Sequence, residues 1–306
     1  MTRAAQGAGT EWVDQTQGRA APARTYGALA WWRFLRSRMA PTGLITLATL
    51  FAVALGAPLI APYDPNAIDL GVASNLAPPS ASHPFGTDDA GRDWLSRAIW
   101  GARVSLSVAM AAMLISIGIG TVVGATSGFF GGWVDTLLMR CVEVLLSLPL
   151  FLVILIAQSV LRPGICTLIW VIGLTTWMRV SRIVRGEVLA VRELEYVEAA
   201  RAVGVANSRL VARHILPNVS GPIIVAATLS VGYAILTEAA LSYLGLGVPL
   251  PDPSWGNMLQ KGLSRLRLAP WLVFFPGALI LATVLAVNAV GDGLRDAFDA
   301  RATGRS

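Results

Sequence analysis

Six mostly apolar runs recur along this chain of 306 residues, five of about twenty residues or more and a shorter, weaker fourth at 165–180, and a charged stretch at 181–217 separates the fourth run from the fifth. A run of about twenty lets an α-helix, rising 1.5 Å per residue, cross a hydrocarbon layer about 30 Å thick. Inside that layer no water satisfies backbone N–H and C=O groups, so only helices and closed barrels can span it. The expected fold is therefore all-α, a polytopic membrane protein with six transmembrane helices. Composition agrees: 55% of residues are hydrophobic and 14% charged, against about 25% charged in ordinary soluble domains.

The runs predict an organisation. Residues 1–40 form a cytoplasmic N-terminal tail, 41–61 a first transmembrane helix, 62–103 an external (periplasmic) loop, 104–290 a five-helix core that includes the charged segment 181–217, and 291–306 a cytoplasmic C-terminal tail. The individual spans fall near 42–60, 104–126, 136–160, 165–180, 219–239 and 270–290, with a Pro163-Gly164 turn between the third and fourth. Residues 1–30 lack a hydrophobic period and are expected to be disordered. Trp31, Trp32, Arg33, Phe34, Arg36 and Arg38 make an aromatic and basic collar suited to the inner membrane face. The first apolar run begins near Leu44 and is as long as a true span, so no cleaved secretory signal is expected.

Placing both termini and the 181–217 segment in the cytoplasm leaves sixteen Arg and Lys inside and seven outside, with Arg140 unassigned. That excess has the sign the positive-inside rule requires. It also accounts for the net charge of +6, so nucleic acid is not an expected partner.

Several chemistries lack their residues. Cys141 and Cys166 lie apart in apolar segments, and His83 and His214 are too few and too separated for a metal site. A phosphate-binding loop needs a Lys closing a Gly-rich turn; the single Lys261 follows Asn257-Met258-Leu259-Gln260 on the external side. No ATP-hydrolysing site is expected in this chain. Gly120, Gly124 and Gly128 recur at steps of four in the second span, which bares one helix face for close approach of a neighbour. Thr87-Asp88-Asp89 are expected to cap a helix running through Trp94 and Trp100, with both rings at the membrane interface.

The charged segment contains EYVEAARAVGVANSRLVARHILP at 195–217. Helix formers run from Glu193 to Val203, Gly204 stands where a left-handed C-terminal cap belongs, Asn207 or Ser208 can cap a second helix, and Pro217 stops it. The result is a helix-turn-helix hairpin at the cytoplasmic face. Ala199 and Ala200 let another surface approach. Glu198 and Arg201 can pair for only about 0.3–0.5 kcal/mol when exposed, which suits docking register better than stability.

The joint pattern of Glu198-Ala199-Ala200, Gly204 and Ile215-Leu216-Pro217 between the fourth and fifth spans resembles the EAA signature of permease subunits of bacterial ATP-binding-cassette importers. HPFGTDDAGRDWLSRAIWGARVSL at 83–106, LTEAALSYLGLGVPLPDPSWGNML at 236–259 and NAVGDGLRDAFDAR at 288–301 extend the resemblance to the dipeptide, oligopeptide and nickel branch. Two departures, Glu143 in place of Asp and FDAR in place of FDPR, leave the hairpin untouched. The resemblance implies a type I importer (MetI-like) transmembrane fold in the bacterial inner membrane. It further implies a non-catalytic subunit that pairs with a second homologous permease, two cytoplasmic ATP-binding subunits that hold ATP and Mg, and an external solute-binding protein. The coupling contact would fall on Glu195, Tyr196, Glu198, Ala199, Ala200, Arg201, Gly204, Ile215, Leu216 and Pro217. Peptides are the implied cargo, with nickel, glutathione or oligosaccharide carried by similar permeases.

Polar groups in the fifth and sixth spans, Thr228, Ser230, Tyr233, Thr237 and Asn288, are the candidates to line a path. Asp88, Asp89, Arg92 and Asp93 are candidates to meet the binding protein or to fold their own loop. A gradient-driven secondary transporter would draw attention to Arg140 and Glu143, but their i,i+3 spacing predicts a snorkelling pair, and no inverted repeat is visible.

Overall fold

Asp93 fixes where the longest helix starts: its carboxylate accepts a 2.7 Å hydrogen bond from the Ser96 backbone N–H and caps α4, Trp94–Phe130. In the computed structural model residues 26–299 are described, apart from 38, 70, 72–74 and 163, with side chains described from residue 31 to residue 298. Most of the N-terminal tail, Arg38 of the collar, Pro163 of the expected turn and the last seven residues lie outside the described residues.

Among the described residues the architecture is helical, in the order α1 (Tyr26–Arg36), α2 (Ala40–Leu55), α3 (Ala57–Ile60), α4, α5 (Gly132–Ser147), α6 (Leu150–Val160), α7 (Ile165–Arg192), α8 (Glu195–Ala202), α9 (Asn207–Leu210), α10 (Ser220–Tyr243), α11 (Trp255–Ser264) and α12 (Trp271–Asp299). Of these, α4, α10 and α12 are each long and apolar enough to cross a membrane alone, and α5 with α6 make a fourth if the bent pair is one span. The main core joins α4, α7, α10, α11 and α12, with Ala54 of α2 and Ile154 of α6.

Several expectations change. The third apolar run is not one straight span, because α5 and α6 meet at a 78° bend. Pro149 stands at the break; it lacks an N–H and pushes Leu148 out of helical geometry, so the run cannot continue straight. The helix expected as the fourth span does not stop near residue 180: α7 runs on to Arg192, carrying its charges on one continuous helix. The sixth passes residue 290 and reaches Asp299, and Ala297 packs with Phe34 and Ala40. Helix α1 begins at Tyr26, inside the stretch expected to be disordered.

The 62–103 loop also differs from its forecast. Thr87 bridges to Asp93, and Asp88 folds the turn between them by accepting from the Ala90 and Arg92 N–H groups and the Arg92 guanidinium. The cap is therefore Asp93, not Thr87-Asp88-Asp89. Trp94 is wholly buried in the main core, away from any interface, whereas Trp100 is half-buried.

The glycine stripe does what its spacing predicted. A side chain on Gly120 would lie 2.6 Å from Val180 Cβ, one on Gly124 would strike the Ser181 carbonyl, and one on Gly128 would come within 3.0 Å of the Arg185 carbonyl. Helices α4 and α7 therefore pack backbone to backbone along this stripe.

Candidate functional site

The 195–217 hairpin hangs from the ends of α4 and α7. Helix α8 ends in a Schellman motif: Gly204 takes φ +82°, its N–H donates to the Arg201 carbonyl at 3.0 Å, and the Val205 N–H donates to the Ala200 carbonyl at 3.2 Å. A left-handed residue is required there, and glycine adopts it without the Cβ penalty. The expected cap at Gly204 is thus found in detail.

The second arm departs from expectation. Ala206 precedes the first helical residue, Asn207, with no side-chain cap, and after Leu210 the helix widens into a π-turn over Val211–Ile215. The Leu216 N–H reaches back five residues to the Val211 carbonyl, and the Asn218 amide donates to the His214 carbonyl at 2.6 Å, so the carbonyls freed by the wider turn are used.

Val197, Leu210 and Ile215 are fully buried and pack with Val184, Val188 and Phe129, which fixes the hairpin to the α4–α7 pair. Glu195, Tyr196, Glu198, Ala199 and Arg201 stay exposed, as do Gly204, Pro217 and the apolar Val203, which is 82% exposed. Ala200 and Leu216 are half-buried. One face holds the hairpin in place while the other presents small and charged groups to whatever lies beyond. Partial burial holds the Tyr196 phenol above its ordinary pKa, against the hydrogen bond from Asn218, which lowers it.

Three arginines fasten this region. Arg185 grips Asp135 through both carboxylate oxygens, and Ser127 donates to the same carboxylate. Arg192 donates to the Gly128 carbonyl at 2.8 Å, and Arg201 lies over the Phe129 ring. The end of α4, the start of α5, α7 and the hairpin are therefore one connected body. Asp135 and Arg185 escaped sequence reasoning because a pair fifty residues apart leaves no local spacing signal.

The path candidates separate. Ser230 and Tyr233 line a cavity of about 200 Å³ with Thr176, Arg179 and Ile183. Thr237 is buried with its hydroxyl on the Tyr233 carbonyl, Thr228 faces Gly291 of α12, and Asn288 lies beside Gly232. The structure does not bring those three to the cavity.

A missed residue sits higher in α10. Glu238 is fully buried, and its two carboxylate oxygens accept from Ser105 of α4 at 2.9 Å and Ser242 at 2.7 Å. Ser105 also accepts from the Trp255 N–H, tying α11 to the same point. The signal was available: an acidic residue inside an apolar run is costly and marks a specific role.

In the 62–103 loop Asp88 and Asp93 are buried in the turn and the cap, while Asp89 is exposed and Arg92 half-buried. Burial lowers the pKa of the Lys261 ammonium, with Arg92 acting in the same direction and Asp88 against it. Arg140 and Glu143 form the exposed i,i+3 pair expected, at 3.1 Å. Among the described residues no group of His, Cys, Asp and Glu is arranged to hold a metal ion.

Residues 120–304 match the family described as the binding-protein-dependent transport system inner membrane component, and residues 25–79 match the N-terminal transmembrane domain of oligopeptide transport permease C. The chain is 44% identical over 267 residues to the oligopeptide transport system permease protein OppC of Bacillus subtilis, covering 87% of each. It is 40% identical over 279 residues to the dipeptide transport system permease protein DppC of the same organism, covering 91% of this chain and 87% of that one. To the oligopeptide transport system permease protein OppC of Haemophilus influenzae it is 38% identical over 293 residues, 94% of each.

Proposed function

This chain belongs to the family of binding-protein-dependent transport system inner membrane components, and from that premise we propose that it is the permease subunit of a peptide importer driven by ATP hydrolysis in a soluble partner. The observation that carries this reading is the two-faced hairpin: Val197, Leu210 and Ile215 root it in the α4–α7 body, while Glu198, Ala199 and Val203 face outward.

In this reading the hairpin seats in a cleft of a cytoplasmic ATP-binding subunit. Closure of two such subunits pulls the hairpin, and because it is fastened to α4, α5 and α7, those helices move as one rigid body. A partner shifts the equilibrium only by binding one state better than the other, so the hairpin contact must differ between the two. Access then alternates across a path shared with a second homologous permease subunit, fed by an external solute-binding protein. ATP and Mg stay on the partner subunits, and this chain performs no catalysis. The relatives named for oligopeptide and dipeptide transport support peptides as cargo. The arrangement requires six crossings, with α2, the bent α5–α6 pair and α7 completing the set, and both termini in the cytoplasm of a bacterial cell.

The test is peptide uptake by the reconstituted assembly with a cysteine at Ala199 and with Cys141 and Cys166, both exposed, replaced by serine. The proposal expects uptake to require ATP and the ATP-binding subunits, and the cysteine to be labelled only from the cytoplasmic side; uptake without ATP, or labelling from outside, contradicts it.

A further inference from the structure

We propose that Arg179, with Ser230 and Tyr233, forms a subsite within the membrane that holds the terminal carboxylate of the cargo peptide. This rests on the peptide-permease reading and adds to it a named contact.

Depth comes first. The Arg179 guanidinium lies 4.9 Å from the centroid of the Tyr233 ring. Tyr233 is thirteen residues beyond the first residue of α10 and ten before its last, about 20 Å and about 15 Å of helix at 1.5 Å per residue. The cation is therefore held near the middle of a helix apolar enough to cross the membrane. Long side chains on a helix lean toward its N-terminus, and α7 runs inward from its external end, so Arg179 points into the membrane instead of snorkelling to the cytoplasm.

Charge comes second. Neither Arg179 nor Arg182 pairs with a carboxylate among the described residues. An arginine facing lipid at such depth is strongly disfavoured, so intramembrane cations face protein or a wet cavity. Arg179 borders two open spaces, the 200 Å³ cavity and a neighbouring one of about 620 Å³ shared with Leu146 and Arg182. On α7, Thr176, Arg179 and Ile183 follow one face at helical spacing; on α10, Ala226, Ser230 and Tyr233 do the same. These two stripes line the cavity between α7 and α10. A helix–helix seam would instead favour small residues, as the α4–α7 contact does.

The ligand class follows from the donors. A planar guanidinium offers paired N–H groups that match a carboxylate, and the Tyr233 hydroxyl can add to them, while Ser230, whose hydroxyl donates to the Ala226 carbonyl at 2.7 Å, lines the wall beside them. The carboxyl terminus is the one anionic group every unmodified peptide carries whatever its sequence, so a single arginine there serves a permease of mixed peptides. The electron-rich Tyr233 face keeps the cation at mid-depth when no cargo is bound.

The experiment measures import by the complete reconstituted assembly, supplied with binding protein preloaded with either a free-acid peptide or its C-terminal amide. Wild type is expected to import the acid faster than the amide, by about tenfold for one charge-assisted contact. Arg179→Gln should bring the acid-to-amide ratio close to one, and Arg179→Lys should recover it in part. The amide rate shows that each variant assembles. A ratio of one in wild type, or a ratio unchanged in Arg179→Gln, overturns the subsite; a carboxylate supplied by the second permease subunit would give the latter result. Wild-type uptake that needs no ATP would instead overturn the permease reading.

Discussion

Arg201 of the hairpin stacks its guanidinium on Phe129, 5.7 Å from the ring centroid, and so links α8 to the last turn of α4. The ring is 7% exposed and belongs to the cluster that anchors the hairpin, while Arg201 reaches it from the exposed side. A double-mutant cycle with Arg201→Gln and Phe129→Leu, read by thermal unfolding in detergent, should give a coupling energy of about 0.5–1 kcal/mol. A coupling of zero would reduce the contact to mere proximity.

Gly204 tests the turn. A side chain there meets nothing within 4 Å, so any cost comes from φ +82° alone. Gly204→Val should loosen the hairpin by about 1–2 kcal/mol, and Gly204→Asn by less, since asparagine tolerates the left-handed region. Proteolysis between α8 and α9 should quicken for Val and hardly change for Asn.

Gly124 tests the α4–α7 seam. A methyl group at that position would strike the Ser181 carbonyl and crowd Val184, so one helix must move. Gly124→Val should cost about 1–3 kcal/mol in thermal unfolding, with Gly118→Val as the matched control in open space.

Much of this was readable in the chain. The capped hairpin, the glycine stripe and the Arg140–Glu143 pair each carry a local spacing, and local spacing survives in sequence. The links between distant residues do not: Asp135 to Arg185 and Glu238 to Ser105 join helices whose neighbourhood only folding decides. Periodicity also misplaced helix ends. Apolar content falls after Val180 and again after Val290, yet α7 and α12 run on, because a helix keeps its backbone hydrogen bonds while its surface turns polar. The α5–α6 bend was the opposite error, since Pro149 lay in plain view inside an unbroken apolar run.

Glu238 tests the point where α4, α10 and α11 meet. Removing its carboxylate strands the Ser105 and Ser242 hydroxyls in a buried site, at about 1–3 kcal/mol for each group left unsatisfied. Glu238→Ala should therefore lower the unfolding temperature in detergent clearly, and Glu238→Gln, which keeps an acceptor, by less. Equal effects would contradict this, since the acceptor and the volume that glutamine retains would then contribute nothing.

The central claim is that motion enters this subunit through the exposed face of α8. Glu198 is exposed on that face and takes part in none of the ion pairs among the described residues. The direct measurement is ATP hydrolysis by the reconstituted complex, with and without loaded binding protein, for wild type and Glu198→Lys. The account predicts that cargo stimulates hydrolysis in wild type and that the reversed charge removes this stimulation; full stimulation in the variant would contradict it.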